Sequence, residues 1–94
     1  MIPTRPPIPL GRTLATPGAL SAFARTGETP ADFLRRHEGQ DWGNAEPEDW
    51  KRNDDALRDG SRIVSSYCLR DGTAIWIITE ADRASSTILL PDEY

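Results

Sequence analysis

The chain has one cysteine, Cys68, and one histidine, His37, in 94 residues, and no apolar run long enough to cross a bilayer. A single thiol excludes an internal disulfide, and one cysteine with one histidine cannot build a four-ligand structural zinc site without several carboxylates. The first nine residues hold four prolines and one charged side chain but no apolar core of a signal peptide, so neither export nor a membrane anchor is expected and the cytoplasm is the default compartment. Basic residues are outnumbered, 11 to 15, for a net charge of −4, which disfavours direct binding to nucleic acid, whose affinity rests on Lys and Arg. A domain this short buries only roughly 60 to 65% of its unfolded surface, leaving little room for a deep, water-excluded active site. No cofactor or metal is expected.

What the chain does have is an ordinary globular composition, 37% hydrophobic and 28% charged with three tryptophans, and an uneven charge distribution. Residues 1–27 carry Arg5, Arg12 and Arg25 and no acid; residues 28–59 carry ten acids against five bases; residues 60–94 carry five acids against three bases. The middle third is therefore the acidic face, either plainly solvated, which is the commoner case, or a docking surface for a basic partner.

Residues 1–10 read as a proline-rich flexible arm, and residues 11–94 as a single α+β domain. Leu10 to Ala15 alternates weakly, enough for an edge strand. Thr16-Pro17 and Thr29-Pro30 are helix starts, the second with Asp32 in a capping-box position, and Gly27 and Gly39 are the stops. A third helix starts near Glu46-Pro47, with Glu48 and Asp49 in its first turn where the macrodipole favours negative charge, and ends at Gly60. Its periodicity turns Trp50 and Leu57 inward and Asp54, Asp55 and Asp59 outward. Ile63–Leu69 and Thr73–Thr79 flank an Asp71-Gly72 turn as a hairpin, and a third strand runs from Ser86 to Leu90. Apolar residues on both faces of 74–78 mark a central strand, its second face covered by the arm or by another molecule. The fold expected is three short helices followed by a three-stranded antiparallel β-meander, with the helices on one face.

Asp41-Trp42-Gly43, Asn53-Asp54-x-Ala56-Leu57, Ser66-Tyr67, the run Ile75 to Arg83 and Thr87-Ile88-Leu89-Leu90-Pro91-x-Glu93-Tyr94 resemble the blocks of a family of short bacterial proteins carried on plasmids, prophages and other mobile elements. The likeness covers residues 13–94. It implies no catalytic residue. It implies the company of small acidic inhibitors of host defence, anti-CRISPR and antirestriction proteins among them, which is an argument by association.

Candidate chemistry is sparse. Glu80, Asp82 and Arg83 could hold a divalent ion or a phosphate, though a capped turn is the plainer reading. His37 with Asp41 could form a base and its orienting carboxylate, though a helix-end histidine is more often a surface residue. Cys68, in a strand, reads as a buried and inert thiol. Trp42 in its glycine turn is the tryptophan expected to stay partly exposed, as an anchor beside the acids Glu48, Asp54, Asp55 and Asp59. The leading expectation is thus a non-enzymatic binding protein that docks on a basic surface of a nucleic-acid-handling complex, such as a CRISPR effector subunit. The alternatives are a small metal-dependent hydrolase using the Glu80–Arg83 turn, or a homo-oligomeric module; as a solution species, the chain is a monomer or a homodimer.

Overall fold

Each proline at a predicted helix start begins a helix in the computed structural model, which describes residues 7–94: α1 (Pro17–Thr26), α2 (Pro30–Glu38) and α3 (Pro47–Asp59). Proline fits the first turn because its fixed φ suits the helix and its missing N–H has no partner to lose there. Thr16 caps α1, its hydroxyl accepting from the Ala19 N–H at 3.2 Å. The capping box expected on α2 does not form: Thr29 makes no side-chain cap bond, and Asp32 pairs instead with Arg35 at 3.7 Å. Gly27 and Gly60 close α1 and α3 in the left-handed conformation.

The strands are β1 (Arg12–Ala15), β2 (Ile63–Cys68), β3 (Ala74–Thr79) and β4 (Ser85–Leu89), in the spatial order β1-β4-β3-β2. The meander β2-β3-β4 is antiparallel as expected, but the sheet has a fourth strand and is mixed, because β1 lies parallel to β4. A parallel neighbour requires a long crossover, and here the crossover is nearly the whole domain. Gly11, at φ 65°, lets the backbone turn in beside Ala84, whose carbonyl oxygen would lie 2.3 Å from an added Cβ.

All three helices pack on one face of the sheet. Ala19, Ala22 and Phe23 of α1 and Phe33 of α2 meet Tyr67, Ile75, Ile77 and Ile88 in one core cluster, while Ala56 of α3 meets Trp42, Ile63 and Ile8 in another. The packed unit therefore takes in Ile8, inside the segment read as an arm; residues 1–6 lie outside the described residues. The opposite face carries Leu14, Val64, Trp76, Ile78, Thr87 and Leu89. The chain's own end folds onto it through a 3-10 turn (Pro91–Glu93), placing the Tyr94 ring 5.6 Å from that of Trp76.

The two sheet edges are treated differently. On β2, the Asn53 side chain donates to the Val64 carbonyl at 2.7 Å and accepts from its N–H at 3.1 Å. Two residues on, the Trp42 carbonyl accepts from the Ser66 N–H and the Asn44 N–H donates to the Ser66 carbonyl. An amide side chain and a loop thus occupy that edge in place of a fifth strand, which protects it from pairing with another chain. Beyond β1 no strand of the described residues lies.

Candidate binding surface

Two of the residues expected to anchor a partner meet each other instead. Trp42 is fully buried, and its indole N–H donates to Asp54 at 3.1 Å, so the expectation of an exposed Trp42 is corrected. The cause is local. The loop from Trp42 to Asn44 must lie flat along β2, and Gly43, at φ 68°, comes so close that a Cβ would sit 2.1 Å from the Ser66 oxygen. The ring then has only the interior to enter, where it stands edge-on to His37 at 5.6 Å and to Trp50 at 6.5 Å. An indole buried this way needs an acceptor, and Asp54 supplies it.

The rest of the predicted acidic row is part structural and part free to face a partner. Asp59 accepts from the Ser61 N–H at 2.8 Å and shapes the exit from α3. Asp55 pairs with Arg58 at 3.1 Å and Asp49 with Arg52 at 3.4 Å, both one helical turn apart and exposed enough to be worth little. Glu48 is exposed. Glu48, Asp55 and Asp59 do share a helix face, but Arg52 interrupts it.

The acidic start of α3 borders a cleft of about 410 Å³ between the helix and the outer face of the sheet. Glu46, Asp49 and Arg52 form the helix side, Val64 and Trp76 the sheet side, and Arg62 closes one end. Arg62 is held there by Glu80 at 3.3 Å and by the Tyr94 hydroxyl at 2.7 Å. Trp76 is half-buried, its ring braced by Tyr94. A braced, partly exposed indole beside two carboxylates and two arginines has the chemistry to receive a long polar side chain along its stem. Sequence reasoning placed the exposed tryptophan at 42 because that residue sits in a glycine turn; the signal that could have found Trp76 is its position on the outward-facing alternation of β3, away from the helices.

His37 is fully buried, contrary to its reading as a surface residue, and it does not meet Asp41 as a base and its carboxylate. Burial works against the charge on Asp41, yet bonds from Arg36 at 2.7 Å and from the Gly43 N–H hold its carboxyl below the usual range. His37 instead sits in a sealed chain of hydrogen bonds: Nδ1 to Ser65 Oγ at 2.5 Å, Nε2 to Thr79 Oγ1 at 2.8 Å, Thr79 to Ser86 Oγ at 2.7 Å, and Ser86 to the Leu10 carbonyl at 2.8 Å. The last acceptor fixes every proton. A carbonyl can only accept, so Ser86 donates to it, Thr79 donates to Ser86, Nε2–H donates to Thr79, and Nδ1 accepts from Ser65. Burial, and after it the charge of Arg83, push His37 from 6.5 down to about 4, in keeping with this neutral tautomer. Ser65 and His37 have the contact of a nucleophile and its base, but both are closed to solvent.

The Glu80–Arg83 turn spends its side chains on the fold. Arg83, at φ 59°, donates to the carbonyls of Ala56 at 3.0 Å, Ser61 at 2.7 Å and Glu80 at 3.1 Å, tying the β3–β4 connection to the C-terminal end of α3. Asp82 accepts from the Ala84 N–H at 2.9 Å, and Glu80 holds Arg62. Among the described residues no three His, Cys, Asp or Glu side chains gather as metal ligands, and no helix is long and apolar enough to cross a membrane. Cys68 is exposed at the end of β2, not buried as expected. This geometry has no counterpart to lean on: no family model matches the chain, and no curated protein or solved structure matches it.

Proposed function

We propose that the protein acts by binding and not by chemistry, as a small inhibitor that docks its acidic α3 margin on a basic surface of a nucleic-acid-handling complex. By the mobile-element resemblance, that complex is a component of bacterial defence, a CRISPR effector subunit or a restriction system. The observation that carries the reading is the cleft where half-buried Trp76 faces Glu46 and Asp49, with exposed Glu48 on the same helical turn. Aromatic anchors in partly desolvated pockets dominate interface energies, and flanking carboxylates steer a basic partner and exclude an acidic one. Relative to the row expected on α3, the interface moves toward the start of the helix: Trp76 takes the role assigned to Trp42, Glu48 is kept, and Asp54 is withdrawn because the indole of Trp42 holds it.

The test is a tagged pull-down from a bacterial lysate, washed at low and high salt, with Glu46→Lys/Glu48→Lys and Trp76→Ala beside the native chain. A basic, nucleic-acid-handling complex is expected to be retained at low salt, reduced at high salt and lost with either variant. The charge reversals lie at exposed positions on a helix start, so they cost the fold only about 1 kcal/mol. Retention of the same complex by the folded double-lysine variant would refute the reading.

A further inference from the structure

The geometry points to a second partner surface, the open edge of β1, and to a second copy of this chain as its occupant. The Arg12 and Thr16 N–H groups bond inward, to the carbonyls of Ala84 and Ile88. By the alternation of a strand, Thr13 and Ala15 therefore direct their N–H and C=O groups away from the sheet. Ala15 packs its side chain on the helix-side core, so Arg12, Leu14 and Thr16 face the other way. Leu14 is 42% exposed, one of three large apolar side chains so open among the described residues. The contrast with β2 is sharp, since every outward backbone group at Val64 and Ser66 is met by Asn53 or by the Trp42–Asn44 loop.

An antiparallel copy centred on Leu14 satisfies this edge completely. Thr13 of each copy then lies opposite Ala15 of the other as a hydrogen-bonded pair, so all four outward groups on each strand segment find partners. Leu14 meets Leu14 across the two-fold axis as a non-hydrogen-bonded pair, the closer of the two pair types, and covers its exposed side chain. Arg12 falls opposite Thr16, and the Thr16 hydroxyl already donates to Glu93 at 2.6 Å. The exposed Arg12, which makes no ion pair among the described residues, is thereby set beside a carboxylate of the second copy, twice by symmetry. Centring the pair on Thr13 instead would bring Gly11, whose backbone is left-handed, opposite Ala15 and would leave Arg12 facing Leu14. The surface is self-complementary in hydrogen bonds, apolar contact and charge, as an isologous interface must be, and its product is one continuous eight-stranded sheet.

Sedimentation of the full chain across a dilution series tests this. The native chain is expected at twice the chain mass when concentrated, passing to once the chain mass on dilution. Thr13→Pro removes only an outward N–H, so the variant keeps its fold and sediments as one chain. Arg12→Glu, at an exposed position, weakens self-association by about tenfold. A native chain that stays at single mass at every concentration overturns the proposal. So does a dimer indifferent to Arg12→Glu, which would have to use another surface.

Discussion

Protonating His37 requires a second ring N–H at the position where Ser65 now donates, in a site closed to bulk solvent. The consequence for stability has a definite sign. Above pH 6.5 the ring is neutral in folded and unfolded chains alike; between 6.5 and about 4 the unfolded chain takes the proton first, so stability falls as pH falls. The full window is worth about 3 kcal/mol. Urea unfolding followed from pH 7 to pH 5, where carboxylates remain charged, should show this loss beginning, and His37→Gln should flatten the profile while costing about 1 to 3 kcal/mol at pH 7. Equal slopes in the two proteins would mean that His37 is not the titrating group. A lone histidine near the basic end of a helix gives no sign of such burial. The legible hint lay in the strands, where Ser65, Thr79 and Ser86 occupy inward positions otherwise held by isoleucine and tyrosine, and Thr79 and Ser86 are direct partners in the register. Three small hydroxyls on the core side of a sheet ask for a shared polar partner, and only one imidazole was available to be it.

At the scale of elements, the helices were readable because proline and glycine act locally: the residue that starts or stops a helix is next to it in sequence. The hairpin was readable for the same reason. The place of β1 was readable only as an edge, since its parallel pairing with β4 joins residues far apart and leaves no local trace. The cover of the β2 edge was hidden too: periodicity puts Asn53 on one face of α3 with Trp50, Ala56 and Leu57, but nothing local says which backbone its amide meets. Its role makes a prediction. Asn53→Ala leaves the Val64 N–H and C=O without partners on a sheet edge, which should cost about 1 to 3 kcal/mol. It should also speed hydrogen exchange at Val64 more than at Ile77, which lies within the sheet. Uniform acceleration across β2 and β3 would show instead that the whole sheet had loosened and that the amide is not an edge guard.

For the whole molecule, the charge segregation seen in the sequence becomes a separation in space: β1, with Arg12, forms one edge of the sheet, and acidic α3 lies at the other, against β2. Binding through the α3 margin and pairing through β1 therefore do not compete, and a two-fold pair would present two such clefts to one target. Two linked sites gain avidity wherever the target offers matching basic patches within reach.

The bond from Ser86 to the Leu10 carbonyl spans 76 positions of the chain, and the pairing of β1 with β4 spans nearly as many. Closing a loop of that length costs about 4 kcal/mol of chain entropy before any contact rewards it. During synthesis β1 emerges early and waits, without a sheet partner, until β4 has been made, while the local β2-β3-β4 meander can assemble as it appears. Pulse-labelled refolding should accordingly protect the amides of β3 before those of Leu14 and Thr16. On this account a strand made before its partner is installed after the meander.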